Sequence, residues 1–150
     1  MKTSSDNKSR LRTVLVGALL TAGVFFGAFV YAAEETAQTR IPATSAAIWQ
    51  AIDQETAALA KIIAAGELAD VHHRAFAIRD LVAALPAASG SLPAAQLAKV
   101  KANATFVATL AERLDASGDA NDKAATESHF KKLQEILNSI RANYLQPALN

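Results

Sequence analysis

The residues best suited to chemistry in this 150-residue chain are its three histidines, His72, His73 and His129. A neutral imidazole binds divalent transition metals and exchanges protons near neutral pH. The chain has no cysteine. This excludes disulfides, thiolate metal sites and haem attachment through a CxxCH motif.

His129 interrupts an apolar stripe in the last helical segment. The stripe is formed by Thr126, His129, Leu133, Ile136 and Ile140. A buried imidazole needs a partner for its ring nitrogens, so the position predicts a core histidine bonded to a facing helix. A metal or haem ligand and a partly exposed side chain are the alternatives.

His72 and His73 point about 100° apart on a regular helix, so they are not expected to share one ion. His72 and His129 each lie near the start of a helix, and in an up-down bundle those two helices begin at the same end. The spacing therefore allows, without requiring, a weak, open metal site that uses His72 and His129, aided by Glu67 or Asp70. Copper(II), nickel or zinc suits these ligands. For His72, a solvated polar side chain at a bundle end is the favoured interpretation, and the metal site is the alternative hypothesis.

Catalytic motifs are missing from the sequence. It contains no glycine-rich phosphate loop, no nucleophile elbow and no HExxH pair. The acidic segment at 117–122 is too short for a calcium loop of the EF-hand type and is interpreted as a helix cap. The chain is therefore predicted not to be an enzyme.

The elements that carry these residues follow a helical periodicity. In the second segment the apolar positions step by three and four residues, at Leu68, Val71, Ala75, Ile78, Val82 and Leu85. Three other segments repeat this stepping. The predicted fold is all-α: an antiparallel up-down-up-down four-helix bundle over residues 45–146.

Helix boundaries are predicted from capping residues. Ser45 is expected to cap a first helix that ends at Gly66, and Ser91 to cap the third. Ser117-Gly118 should stop the third helix. An acidic or amide side chain at Asp119, Asn121 or Asp122 should cap the fourth, and Pro147 should close it.

The N-terminal region predicts export. Residues 13–33 carry no charge and follow a basic leader. Residues 1–33 are thus predicted to be a signal peptide, cleaved after Ala32 or Ala33, or an N-terminal membrane anchor. Residues 34–44 form a polar tether. Under either interpretation the bundle is expected in the periplasm, tethered to the inner membrane by residues 13–33 if cleavage does not occur.

Charge argues against nucleic acid as a partner. The chain has 15 basic and 14 acidic residues. Four of the basic residues and one of the acidic residues lie within the first 12 positions. This leaves 11 basic and 13 acidic residues, or −2, on the exported part, which lacks the basic footprint of a nucleic-acid binder. A monomer or weak homodimer is expected.

Three stretches carry a resemblance to a family. They are V-H-H-R-A-F-A-I-R-D-L-V-A-A-L-P, A-K-V-K-A-N-A-T-F-V-A-T-L-A-E-R-L-D and G-D-A-N-D-K-A-A-T-E-S-H-F-K-K-L. Across about residues 45–145 the chain resembles a family of small exported bacterial helical proteins that accompany heavy-metal efflux systems. The resemblance implies a metal-linked accessory role beside a membrane efflux complex.

Two other functions stay open at this stage. The architecture is similar to that of cytochrome b562, which implies a haem-binding electron carrier with His129 as one axial ligand. The axial methionine has no counterpart, because Met1 is the only methionine. The other alternative is a non-catalytic structural or interaction module for a membrane partner.

Overall fold

A computed structural model describes residues 39–145. The predictions for residues 1–33, for most of the tether and for Pro147 lie outside these residues. The described chain is all helical, with four α-helices and no strand. The helices are α1 (Ser45–Ala65), α2 (Val71–Ala84), α3 (Ala94–Asp119) and α4 (Lys123–Leu145), and a 3-10 helix (Leu68–Asp70) precedes α2. Within residues 39–145, no helix is long and apolar enough to cross a membrane.

The helices share one apolar core. All six predicted positions from Leu68 to Leu85 are buried, and Val107 and Leu114 of α3 face them without solvent contact. Helices adjacent in sequence pack closely, whereas α1 touches α4 only sparsely. The stripe of α4 is buried as predicted at Thr126, Leu133 and Ile140 and departs from the prediction at two positions. Leu137 is buried in place of Ile136, and His129 is only partly buried.

Helix α1 ends as predicted and begins one residue differently. Gly66 has a φ of 79°, the left-handed conformation expected at this C-cap. The N-cap is Thr44 rather than Ser45, because the Thr44 hydroxyl accepts a hydrogen bond from the Ala47 amide at 3.2 Å. Ser45 is instead the first helical residue.

Both boundary predictions for α3 are wrong. Its N-cap is Pro93, which offers no side-chain hydrogen bond, rather than Ser91. Ser117 and Gly118 do not stop the helix but lie buried within its last turn. Gly118 is required there because a Cβ atom would approach the Leu68 carbonyl oxygen to 2.7 Å. Of the three caps considered for α4, Asp122 is used, since its carboxylate accepts from the Ala125 amide at 3.0 Å.

Aromatic side chains tie the first turn of α1 to the last turns of α4, and we call this the aromatic end. The rings of Trp49 and Tyr144 meet edge to face, with centroids 5.6 Å apart. The Tyr144 hydroxyl lies 2.8 Å from Ser89 Oγ, and Ser89 donates to the Leu85 carbonyl at 2.6 Å. Burial raises the pKa of Tyr144 above its ordinary value of 10.0, and the hydrogen bond to Ser89 partly opposes the shift.

Candidate functional site

The start of α2 brings two imidazoles together. The ring centroids of His72 and His73 lie 3.7 Å apart, with the planes tilted by 39°. Side-chain rotation brings the two rings together although the residues leave the helix in directions about 100° apart. The lone pairs of the ring nitrogens lie in the ring planes, so this stacking does not point both rings at one ion. We call the region formed by Asp70, His72 and His73 the histidine end.

The hydrogen bond of His72 defines which of its nitrogens is free. His72 Nδ1 lies 3.4 Å from the Ala69 carbonyl oxygen, a long contact. A carbonyl can only accept, so this contact favours the tautomer with the proton on Nδ1. The lone pair of Nε2 is then available. Histidines that bind metals commonly donate the other ring N–H to a backbone carbonyl in this way.

His73 opens onto a groove between α1 and α2 with a volume of about 590 Å³. Charged side chains from four segments line it, namely the tether, α1, the 3-10 helix and α2: Arg40, Glu55, Asp70 and Arg74. Arg74 Nη1 donates to Glu55 Oε2 at 3.0 Å and joins the two helices. The remaining wall contains small or apolar side chains, which leave the groove open. Asp70 and His73 are three residues apart, and this spacing places them on one side of the chain.

His129 has a different set of contacts. Its Nδ1 is 3.4 Å from Ser117 Oγ. Ser117 Oγ lies 3.1 Å from the Leu114 carbonyl and 3.0 Å from Thr126 Oγ1. If the Ser117 proton goes to Leu114, Ser117 can accept from His129, while Thr126 donates its one proton either to Ser117 or to the Asp122 carbonyl at 2.7 Å. The imidazole thus joins the network that ties the end of α3 to the start of α4.

The four residues predicted to bind metal do not form one group. Asp70 lines the groove with His73, and His72 stacks on His73. Glu67 is exposed and does not cap the 3-10 helix with its side chain. Within residues 39–145, no three or more His, Asp or Glu side chains are arranged to hold a metal ion.

Sequence reasoning missed His73, Glu55 and Arg74 as members of the candidate site. Asp70 and His73 could have been found from their three-residue spacing, which recurs in metal sites of helical bundles as a Glu-x-x-His motif. The Arg74–Glu55 pair joins residues 19 positions apart in sequence. No local pattern predicts that pairing.

Comparisons with known proteins identified no relative of this chain. No family model matches the chain, and neither a curated protein nor a solved structure is significantly similar to it.

Proposed function

We propose that this protein is an exported helical-bundle accessory protein that binds a divalent transition metal ion at the start of α2. The observation that carries the proposal is that Asp70 and His73 line one groove, with the His72 ring 3.7 Å from the His73 ring. The ligands proposed here are His73 and Asp70, with His72 as the adjacent imidazole. His129 is assigned to the α3–α4 hydrogen-bond network instead.

The chemistry of these ligands selects the kind of ion. Imidazole nitrogen with carboxylate oxygen suits copper(II), nickel and zinc, whereas calcium prefers an all-oxygen shell. Copper(I) prefers sulfur ligands, and the chain has no cysteine. With two or three protein ligands, the remaining coordination positions go to water or to another molecule. Such a site is weak and releases its ion readily, as an accessory protein that passes metal to a partner requires.

The proposal also includes the topology of the bundle, its export and its partner. An antiparallel arrangement of α3 and α4 is supported by a hydrogen bond from Asn103, in the first half of α3, to Ser139, in the second half of α4. Export rests on the charge-free run at 13–33. The proposed partner, a membrane-embedded metal efflux complex, rests on the family resemblance alone.

The test is a calorimetric titration of the protein with copper(II), nickel and zinc. We expect His73→Ala and Asp70→Asn each to weaken binding by about tenfold or more, because each removes a ligand of the ion. His129→Ala is the matched control and should bind like the parent. Affinity should fall as the pH drops, because protonated imidazole cannot bind metal.

Two results would contradict this assignment. If His129→Ala loses affinity while His73→Ala does not, the metal lies at the His72–His129 site predicted from sequence. If the parent binds none of the three ions, the proposed function is wrong.

A further inference from the structure

The groove between α1 and α2 changes its charge when an ion enters it. Two arginines, Arg40 and Arg74, and two carboxylates, Glu55 and Asp70, line its walls, so their formal charges cancel. A divalent ion on Asp70 and His73 would bring the total to +2. The start of α2 adds the positive end of a helix dipole. A loaded groove therefore attracts an anion.

We propose that the groove binds its metal together with a small dicarboxylate anion. One end of the anion would complete the coordination of the ion, and the other would pair with Arg74 and Arg40. This inference rests on the proposed function, since it names a second ligand for the same site.

Arg74 has the donors that this role requires. It uses Nη1 for Glu55, which leaves Nε and Nη2 to form a two-point contact with a carboxylate. The Arg74 side chain is 45% exposed, so an incoming anion can reach it. Arg40 is exposed at the end of the tether. The two cations thus belong to different segments that line one groove.

The groove is also large enough for a small dicarboxylate. A volume of about 590 Å³ lies within the range of small-molecule sites. Ala51 and Ala77 contribute only methyl groups to the lining, so their side chains leave the groove free for a ligand. Carboxylate oxygen suits the borderline ions that imidazole also binds.

The experiment is equilibrium dialysis of the full chain with radiolabelled malonate, with and without zinc. We expect the protein to retain malonate when zinc is present, near one per bound ion, and to retain little when zinc is absent. Arg74→Ala should weaken malonate retention by about tenfold or more, since charge-assisted hydrogen bonds are lost. Zinc binding measured without malonate should change little in this variant.

Arg79→Ala is the matched control. Arg79 is also an arginine of α2, but it pairs with Asp80 and stacks over Phe76 at 4.5 Å. The Arg79→Ala variant should retain as much malonate as the parent protein does when zinc is present. Metal binding without malonate retention would overturn this inference and leave the proposed function standing, whereas failure to bind zinc, copper(II) and nickel alike would contradict the proposed function itself. Equal retention of inorganic phosphate would overturn the assignment to a dicarboxylate.

Discussion

The aromatic end and the histidine end use polar side chains in opposite ways. At the aromatic end, Ser89 is buried and bonds both Tyr144 and the Leu85 carbonyl at 2.8 and 2.6 Å. At the histidine end, His73 is exposed and His72 makes only a 3.4 Å contact. Buried polar groups must be satisfied within the protein, and once satisfied they hold helices together. Exposed groups with free lone pairs remain available for a ligand.

The largest expected effect lies in the core that joins the two ends. Val107 is fully buried, so Val107→Asp places an unpaired carboxylate in the core and should cost several kcal/mol of unfolding free energy. Thermal unfolding followed by circular dichroism measures the loss. Thr105→Asp, at an exposed position of the same helix, is the control. Similar unfolding temperatures for the two variants would show that this core does not hold the bundle together.

The next largest effect on stability should come from adding a methyl group at Gly118, near the histidine end. Gly118 contacts the segment that leads into the histidine end, and a Cβ there would lie 2.7 Å from the Leu68 backbone oxygen. Gly118→Ala should therefore destabilise the protein by about 1–3 kcal/mol, despite the higher helix propensity of alanine. A Cβ added at Gly90 would have no atom within 4 Å, so Gly90→Ala should have little effect on stability. Urea unfolding compares them, and equal stabilities would contradict the close approach at Gly118.

Removing one hydroxyl from the aromatic end should have the smallest effect. Tyr144→Phe breaks the hydrogen bond to Ser89 and should cost about 1 kcal/mol. The pKa of Tyr144 is raised in the folded protein, so the unfolded chain ionises first as the pH rises. The stability of the parent should therefore be complete below about pH 10 and should fall above it.

Urea unfolding at several alkaline pH values measures this dependence. Tyr144→Phe should lose the part of the alkaline decline that belongs to this phenol. A variant that declines as steeply as the parent would show that ionisation of Tyr144 does not contribute to the loss of stability.

The regular parts of the fold could be predicted from sequence, and the departures have physical causes. The spacing from Leu68 to Leu85 identified six buried residues correctly. In α4 the pattern was ambiguous, because Ile136 and Leu137 are adjacent apolar residues that point about 100° apart. Only packing against the other helices selects Leu137. Gly118 resembled a stop signal, since the close approach of Leu68 cannot be seen in the local sequence.

The candidate site was predictable only in its residue types. Asp70 and His72 were named from the sequence, but the adjacency of the His72 and His73 rings depends on side-chain rotation. The partner of Asp70 in the groove is His73 rather than His129. The contribution of Glu55 required knowledge of how α1 and α2 align, which helical periodicity does not provide.

The sparse contact between α1 and α4 has a consequence for partial unfolding. A helix that packs closely on one neighbour and loosely on another separates first along the loose side. Helix α1 can then move away from α4 while it stays packed on α2, to which the Arg74–Glu55 ion pair also joins it. In native-state hydrogen exchange, we expect the amides of α1 to open at a lower free energy than those of α2 and α3. The groove between α1 and α2 would thus remain intact during this first opening, and the ion proposed to bind there would not have to leave.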